Sequence, residues 1–186
     1  ILVIGMSIGI TLNLIMPRNK DKLEKEQKIL EEHIRSTLRE MSNIIKGQEV
    51  YIDFNKLDKR LENLLKKAYE DAGNRFLSDT KYLISYLEMR KTQVSVLKNI
   101  QDDINKINKI LPQSHLVAEY MEKVGDCFHE LNDVKKLLTE LESLYENFRN
   151  EKLPVSREEF ENRAILFSIL KDMEYFLEVK RNFILE

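Results

Sequence analysis

The chain has little of several residue types: no tryptophan, one cysteine, three prolines and five glycines among 186 residues. The single cysteine, Cys127, excludes an internal disulfide framework and fits a reducing compartment. Proline and glycine are the residues that most often interrupt helices, so their scarcity predicts an all-α protein. The length suits one sizeable core and leaves little room for a second independent domain.

An excess of charge of one sign is also missing. The 30 lysines and arginines nearly balance 32 aspartates and glutamates, which leaves a formal net charge of -2. Domains that bind nucleic acid normally present a broad basic surface. Nucleic acid is therefore not an expected partner.

Motifs that carry chemistry are absent as well. The chain contains no GxxxxGK[ST] phosphate loop, no GxGxxG, no GxSxG and no HExxH. The three histidines, His33, His115 and His129, lie far apart in the sequence. No catalytic residue, metal ligand or cofactor is predicted, and Cys127 is expected to be a structural thiol on an apolar helix seam.

The first residues form an uncharged apolar segment, ILVIGMSIGITLNLIM, over positions 1–16. A helix of this length rises about 24 Å, short of the roughly 30 Å hydrocarbon core of a bilayer. The segment lacks the basic n-region and the cleavage site of a signal peptide. We predict that residues 1–16 are the C-terminal part of a transmembrane helix; a buried helix of a soluble core is the alternative.

Cations follow this segment immediately, and they are Arg18, Lys20, Lys22, Lys25 and Lys28. An excess of positive charge beside a membrane span marks the cytoplasmic side. Interspersed acidic residues weaken any attraction to anionic lipid, so the pattern indicates topology and not lipid specificity. We predict that residues 17–186 form a cytoplasmic domain.

Heptad patterns predict about five helices in an elongated antiparallel bundle. The first helix is expected over 19–46, where Gly47 stops it, and the second follows a cap at Asp53 or Asn55 and ends near 72–74. The third is expected over 78–111, closed by Pro112. The fourth is expected over 114–150, and the last begins after Pro154.

The stretch PVSREEFENRAILF, residues 154–167, resembles an acid/base cluster but fits a helix start. Ser156 as the cap and Glu159 three residues later form a capping box, with Val155 and Phe160 at the positions of a hydrophobic staple. Spacing of four residues predicts two ion pairs, Arg157–Glu161 and Glu159–Arg163. A paired-carboxylate active site is the alternative, and the helix chemistry makes it unnecessary.

Two arginines, Arg90 and Arg163, occupy positions on otherwise apolar seams. An unpaired buried charge is costly, so each arginine is predicted to meet a carboxylate on another helix. Glu158 or Glu161 is the candidate partner of Arg90. The pairs would fix helix register; alternatively one arginine holds an organic acid, or both side chains extend to solvent.

Two stretches of the sequence resemble a known protein family. YLISYLEMRKTQVSVL (82–97) and LPVSREEFENRAILFSILKDMEYFLEVKRNF (153–183) resemble the C-terminal domain of the putative aromatic acid exporter family of bacteria. GITLNLIMP (9–17) is similar to the exit of that family's last membrane helix. The positions that match the family motifs are Tyr82, Tyr86, Arg90, Arg157, Glu158, Phe160, Glu161 and Arg163.

The resemblance implies a multi-pass protein of the cell inner membrane, whose upstream transmembrane half would carry transport. The family provides no catalytic residue to transfer. We predict a non-enzymatic cytoplasmic domain with an assembly or regulatory role in transport; the alternative is a membrane-anchored helical signalling or partner-binding module. The expected partner is the membrane, and a homo-oligomer and an organic-acid ligand are further candidates.

Overall fold

The computed structural model describes the backbone of residues 2–74, 78–129 and 134–185, and the side chains of residues 22–72, 81–129 and 134–184. The described residues form six α-helices and no strand. They are α1 (Leu2–Ile45), α2 (Phe54–Asn74), α3 (Ser78–Ile104), α4 (Pro112–Asp126), α5 (Val134–Asn150) and α6 (Arg157–Leu185). The predicted all-α class is confirmed, with six described helices where about five were expected.

Helix α3 packs on α6, α2 and α1, and α2 also contacts α1; α4 packs mainly on α1, and α5 packs mainly on α6. Helices α3 and α6 run antiparallel, because Tyr82 contacts Phe183 while Gln93, further along α3, reaches the carbonyl of Phe176. The core consists of leucine, isoleucine, valine, methionine and aromatic side chains from every helix. Burial of this apolar stripe, more than helix propensity, stabilises each element.

The third helix is shorter than predicted, since α3 ends at Ile104 and Pro112 begins α4. Proline suits the first position of a helix because its missing N–H would have no partner there. The loop between the two helices is held by buried Asn162 of α6, whose Oδ1 accepts hydrogen bonds from the N–H groups of Asn108 (3.1 Å) and Lys109 (3.2 Å). The predicted end of the third helix was therefore wrong.

The predicted fourth helix is divided into α4 and α5 by a turn after Asp126. Phe128 enters the core at this turn, whereas Cys127 is exposed. The expectation of a structural thiol on a buried seam was wrong, because leaving the helix at this point buries the larger ring of the next residue. We call residues 127–129 the Phe128 turn.

The start of α6 follows the predicted helix chemistry. Ser156 Oγ accepts a hydrogen bond from the Glu159 N–H at 3.1 Å, and the Glu159 carboxylate accepts one from the Val155 N–H at 3.0 Å. The Val155 hydrogen bond, assisted by Arg163, holds the pKa of Glu159 below its usual range. The capping role is confirmed, but the staple is not, because Val155 and Phe160 remain 94% and 61% exposed.

The predicted membrane segment, residues 1–16, lies where no side chains are described. Among the described residues, no helix combines the length and apolar character needed to cross a bilayer. The membrane segment stays a prediction.

Replacing Gly47 with alanine is expected to destabilise the chain by about 1–2 kcal/mol, the cost of a left-handed conformation for a residue with a Cβ. Gly47 has φ of 89°, and a Cβ there would lie 2.2 Å from Ile110 Cδ1, so that side chain must also move. Urea unfolding measures the loss. Gly125→Ala is the matched control, because its Cβ would meet Leu38 Cβ at an ordinary 3.4 Å. Equal stability of the two variants would contradict this account of Gly47.

Candidate functional site

The candidate site centres on Arg90 of α3, whose side chain is fully buried. Its Nη2 lies 3.4 Å from a carboxylate oxygen of Glu31 on α1, and the Glu31 side chain is 13% exposed. The partner is therefore on another helix, but it is neither Glu158 nor Glu161, and that assignment was wrong. The ion pair ties α1 to α3 inside the bundle.

Every nitrogen of the Arg90 guanidinium has a partner. Nε donates to the Tyr86 hydroxyl at 2.8 Å, and Nη1 donates to Gln93 Oε1 at 2.6 Å. Tyr86 in turn donates its O–H to Glu31, and Gln93 Nε2 donates to the Phe176 carbonyl at 2.8 Å. A buried network with all members paired strengthens each hydrogen bond and holds one geometry.

Aromatic rings enclose the guanidinium on its faces. Arg90 Cζ lies 4.1 Å from the ring centroid of Phe128 and 4.8 Å from that of Tyr86, both within the range of cation–π attraction. The ring of Phe128 also packs against Phe176, with centroids 6.0 Å apart. Burial is the main cause that raises the pKa of the Tyr86 phenol far above its usual range, so Tyr86 stays a hydrogen-bond donor.

A second buried cation, Lys180 of α6, lies beside this network. Its Nζ is 5.8 Å from the Tyr86 ring centroid and donates to the carbonyl of His129 at 3.5 Å. Sequence reasoning missed Lys180, although a signal exists: it continues the seven-residue series Leu166, Met173, in which both members are buried. The same rule that singled out Arg90 would have found it.

A third cation, Arg35 of α1, completes the surroundings of the Phe128 turn. Arg35 Nη2 donates to the Phe128 carbonyl at 2.7 Å, and Nη1 donates to Glu32 at 2.8 Å. Arg35, Arg90 and Lys180 therefore converge on the ring and carbonyls of a turn that follows the C-terminus of α4. Cations favour this end of a helix because its carbonyl groups carry partial negative charge.

The other predicted site residues lie elsewhere. Arg163 is partly buried, with 18% of its side chain exposed, and it pairs with Glu159 on its own helix at 2.6 Å. Arg163 Nη1 also donates to the Lys152 carbonyl at 2.7 Å. The predicted partner on another helix was wrong, because residues 151–156 fold back close enough to hold this side chain.

Glu158 and Glu161 form ion pairs at the start of α6, away from Arg90. Glu158 accepts from Lys109 at 3.0 Å, and Glu161 accepts from Arg157 at 2.7 Å. Arg157 itself is 91% exposed. The structure thus divides the motif positions between a buried cluster around Arg90 and a surface group around the cap of α6.

The remaining motif positions are aromatic. Tyr82 stacks on Tyr86 with centroids 6.3 Å apart and lies 5.6 Å from Phe183, although about half of its surface is exposed. Phe160 stays with the surface group. The Arg90 cluster therefore contains two motif positions, Tyr86 and Arg90, with Tyr82 at its edge.

Chemically, the Arg90 cluster is arranged to hold helices together. Each nitrogen of the Arg90 guanidinium already has a protein acceptor. Within the described residues, no group of three or more histidine, cysteine, aspartate or glutamate side chains could hold a metal ion. The cluster provides hydrogen bonds, a cation–π stack and charge pairing.

A second contact between α3 and α6 brings together the carboxyl groups of Asp103 on α3 and Asp172 on α6. Burial alone would raise the pKa of Asp103, but hydrogen bonds from Lys106 and Ser168 and the charge of Lys106 lower it. Burial, with the charge of Asp103 as a second cause, raises the pKa of Asp172. Ionised Asp172 is therefore the unfavourable member of this contact.

We expect Asp172→Asn to stabilise the chain slightly at neutral pH. A carboxyl group whose pKa is raised by folding contributes stability that is fully present below its unfolded pKa and is lost as the pH rises through its folded pKa. Asparagine cannot ionise, so the variant keeps this stability at neutral pH. Solvent screening limits the increase in unfolding free energy to about 0.5 kcal/mol or less. Melting temperatures measured from acidic to neutral pH test this, with Asp102→Asn on the exposed side of α3 as the control. A gain that is larger at acidic than at neutral pH would contradict the prediction.

Fold and site together define a helical bundle domain whose core is crossed by a buried ion pair and a cation–π stack. A family model described as "Putative aromatic acid exporter C-terminal domain" matches residues 20–181. The chain belongs to this family, as the sequence motifs predicted. The match contains all six helices except the first part of α1 and the last residues of α6.

The chain is also similar to two other bacterial proteins. "Uncharacterized protein YqjA" of Bacillus subtilis (strain 168) is 27% identical over 190 residues, which cover 98% of this chain and 58% of that protein. The chain thus spans little more than half the length of this relative. The crystal structure of a putative membrane protein from Clostridium difficile 630 is 29% identical, with a TM-score of 0.79 over 89% of this chain and 99% of that one.

Proposed function

We propose that this chain is the cytoplasmic C-terminal domain of a multi-pass membrane transport protein, where it acts without catalysis in the assembly or regulation of transport. The observation that carries the proposal is the family match over residues 20–181. The solved relative, titled a putative membrane protein, supports membrane association. The uncharged segment 1–16 and the cations that follow it support attachment at the inner face of the membrane.

The Arg90 cluster supports a mechanical role for the domain. Arg90 connects α1, which continues from the apolar segment, with α3 and with the Phe128 turn. A change in the position of the turn would therefore reach α1 through two adjacent contacts, Phe128 with Arg90 and Arg90 with Glu31. Coupling of this kind needs packed elements that have two arrangements, and the α4–α5 connection is the element we assign to it.

The location is tested in the natural full-length protein. A fluorescent reporter and a periplasm-dependent phosphatase are each fused to the C-terminus of that protein. We expect fluorescence and no phosphatase activity if the bundle is cytoplasmic. Phosphatase activity without fluorescence would overturn the proposed topology.

The role in transport is tested by efflux from cells that express full-length protein with Arg90→Lys, which keeps the charge but not the planar fork of donors. We expect slower efflux of aromatic carboxylates at unchanged protein abundance in the membrane. Arg157→Lys, at an exposed motif position, is the matched control. Equal efflux by both variants and the wild type would overturn the regulatory part of the proposal.

A further inference from the structure

The Phe128 turn presents an unusual combination of groups to its surroundings. Its ring lies 4.1 Å from the guanidinium of Arg90, its carbonyl accepts from Arg35 at 2.7 Å, and the next carbonyl accepts from Lys180 at 3.5 Å. One aromatic ring and two acceptor oxygens are thus held by three cations. These are the elements of an aromatic carboxylate.

We infer that the Phe128 turn occupies a site that binds a small aromatic carboxylate, and that such a ligand displaces the turn from Arg90, Arg35 and Lys180. The ligand ring would replace the Phe128 ring on the guanidinium. Its carboxylate would replace the Phe128 carbonyl as the acceptor of Arg35, and it would bring towards Lys180 a full negative charge that a peptide carbonyl lacks. Arg35 and Lys180 already donate charge-assisted hydrogen bonds to the turn, and an ionised acceptor would add Coulomb attraction to them.

An unused donor in the cluster supports this inference independently. Arg35 Nε is buried and has no hydrogen-bond partner, although Nη1 and Nη2 are engaged. A peptide carbonyl offers one oxygen to this guanidinium, whereas a carboxylate offers two and can accept from adjacent nitrogens. The carboxylate therefore satisfies a donor that the turn leaves unpaired.

The location of the turn makes displacement compatible with the fold. It lies between α4 and α5, so moving it does not require breaking a helix in its middle. Two backbone hydrogen bonds hold it, from Cys127 N–H to the Lys123 carbonyl and from Phe128 N–H to the Gly125 carbonyl. Ligand binding would change how α4 and α5 pack on α1 and α6. This inference rests on the proposed regulatory role, since it specifies the ligand class that the domain would sense.

The first experiment uses Phe128→Ala in the full 186-residue chain, purified in detergent, with benzoate as the probe. Removing the ring leaves space against Arg90, so we expect saturable binding of benzoate by calorimetry and a raised melting temperature. Benzamide, which has the same ring and no charge, should bind at least about tenfold more weakly. Phe176→Ala is the matched control, because it removes a neighbouring ring that packs against Phe128 instead of lying over the Arg90 guanidinium.

Each outcome decides the inference. Equal binding of benzoate and benzamide, or equal binding by the Phe176→Ala control, would reduce the site to an apolar cavity and overturn it. Loss of the preference for benzoate in Phe128→Ala combined with Arg35→Ala would support it. If Phe128→Ala does not fold, Phe128→Leu keeps an apolar side chain without the ring, and absence of benzoate binding to that folded variant overturns the inference.

The second experiment uses the wild-type chain and hydrogen exchange. Benzoate should increase exchange of amides in α4 and α5 and leave α2 unchanged, because only the former are joined by the displaced turn. No change at saturating benzoate would overturn displacement. Failure of the proposed function can be told apart from failure of this inference. If benzoate binds but the reporters place the bundle in the periplasm, only the proposed topology is wrong. If efflux depends on Arg90 as proposed but benzoate does not bind, only the ligand inference is wrong.

Discussion

Replacing Arg90 with methionine is expected to lower the free energy of unfolding by about 3–5 kcal/mol, the cost of breaking a buried ion pair by removing one partner. Methionine fills a similar volume, so the loss reflects polar groups and not a cavity. Glu31 would keep only the Tyr86 hydroxyl, and the Gln93 oxygen that accepts from Arg90 would lose that hydrogen bond. Urea unfolding followed by circular dichroism measures the change.

Two further variants separate charge pairing from general damage. Arg157→Met changes an exposed arginine and should shift stability by no more than about 0.5 kcal/mol. Arg90→Met combined with Glu31→Met removes both charges and should recover a large part of the loss, because an apolar pair often replaces a buried ion pair without cost. A loss for Arg90→Met as small as that for Arg157→Met would show that the network does not stabilise the fold.

Truncating Phe176 to alanine is expected to cost about 3–5 kcal/mol, as for other buried phenylalanines. Phe176 is almost completely buried on α6, and its ring packs against Phe128, which in turn covers Arg90. The cavity would lie against the Phe128 ring, on which the guanidinium stacks. The loss of unfolding free energy therefore measures how much the packing of Phe176 on Phe128, in addition to the ion pair, stabilises the Arg90 cluster.

Phe160→Ala provides a matched control, because it is the same chemical change on the same helix at a side chain that is 61% exposed. Its effect should stay within about 0.5 kcal/mol. Combining Phe176→Ala with Arg90→Met should cost less than the sum of the two losses, since both variants disrupt one network. Strict additivity would indicate that ring and guanidinium act independently.

Several elements of the fold could be predicted because their causes are local. Ser156 and Glu159 cap α6 through groups within four residues of each other, and Gly47 ends α1 because its backbone adopts a positive φ. Heptad spacing located Arg90 in the core, since seven residues return a side chain to the same face of a helix. The motif blocks around Tyr82 and Pro154 predicted the family.

The errors have a common cause at the Phe128 turn. A heptad pattern runs through residues 117–148, so the sequence favoured one helix. The chain instead leaves the helix after Asp126, where Phe128 gains contacts with Arg90 and Phe176. Tertiary packing overrides local periodicity when a large ring buries better outside the helix than within it.

The sequence by itself determined the all-α class, the family, the start of α6 and the burial of one charged residue, because each depends on residues a few positions apart. Only the tertiary structure decided that Arg90 pairs with Glu31, 59 positions away, that Lys180 lies beside it, and that the Phe128 turn completes the cluster. The heptad period shows which face of its own helix a side chain occupies, and therefore whether it points towards the core. The identity of its partner depends on how distant helices are rotated and aligned against each other, and no spacing along one helix contains that information.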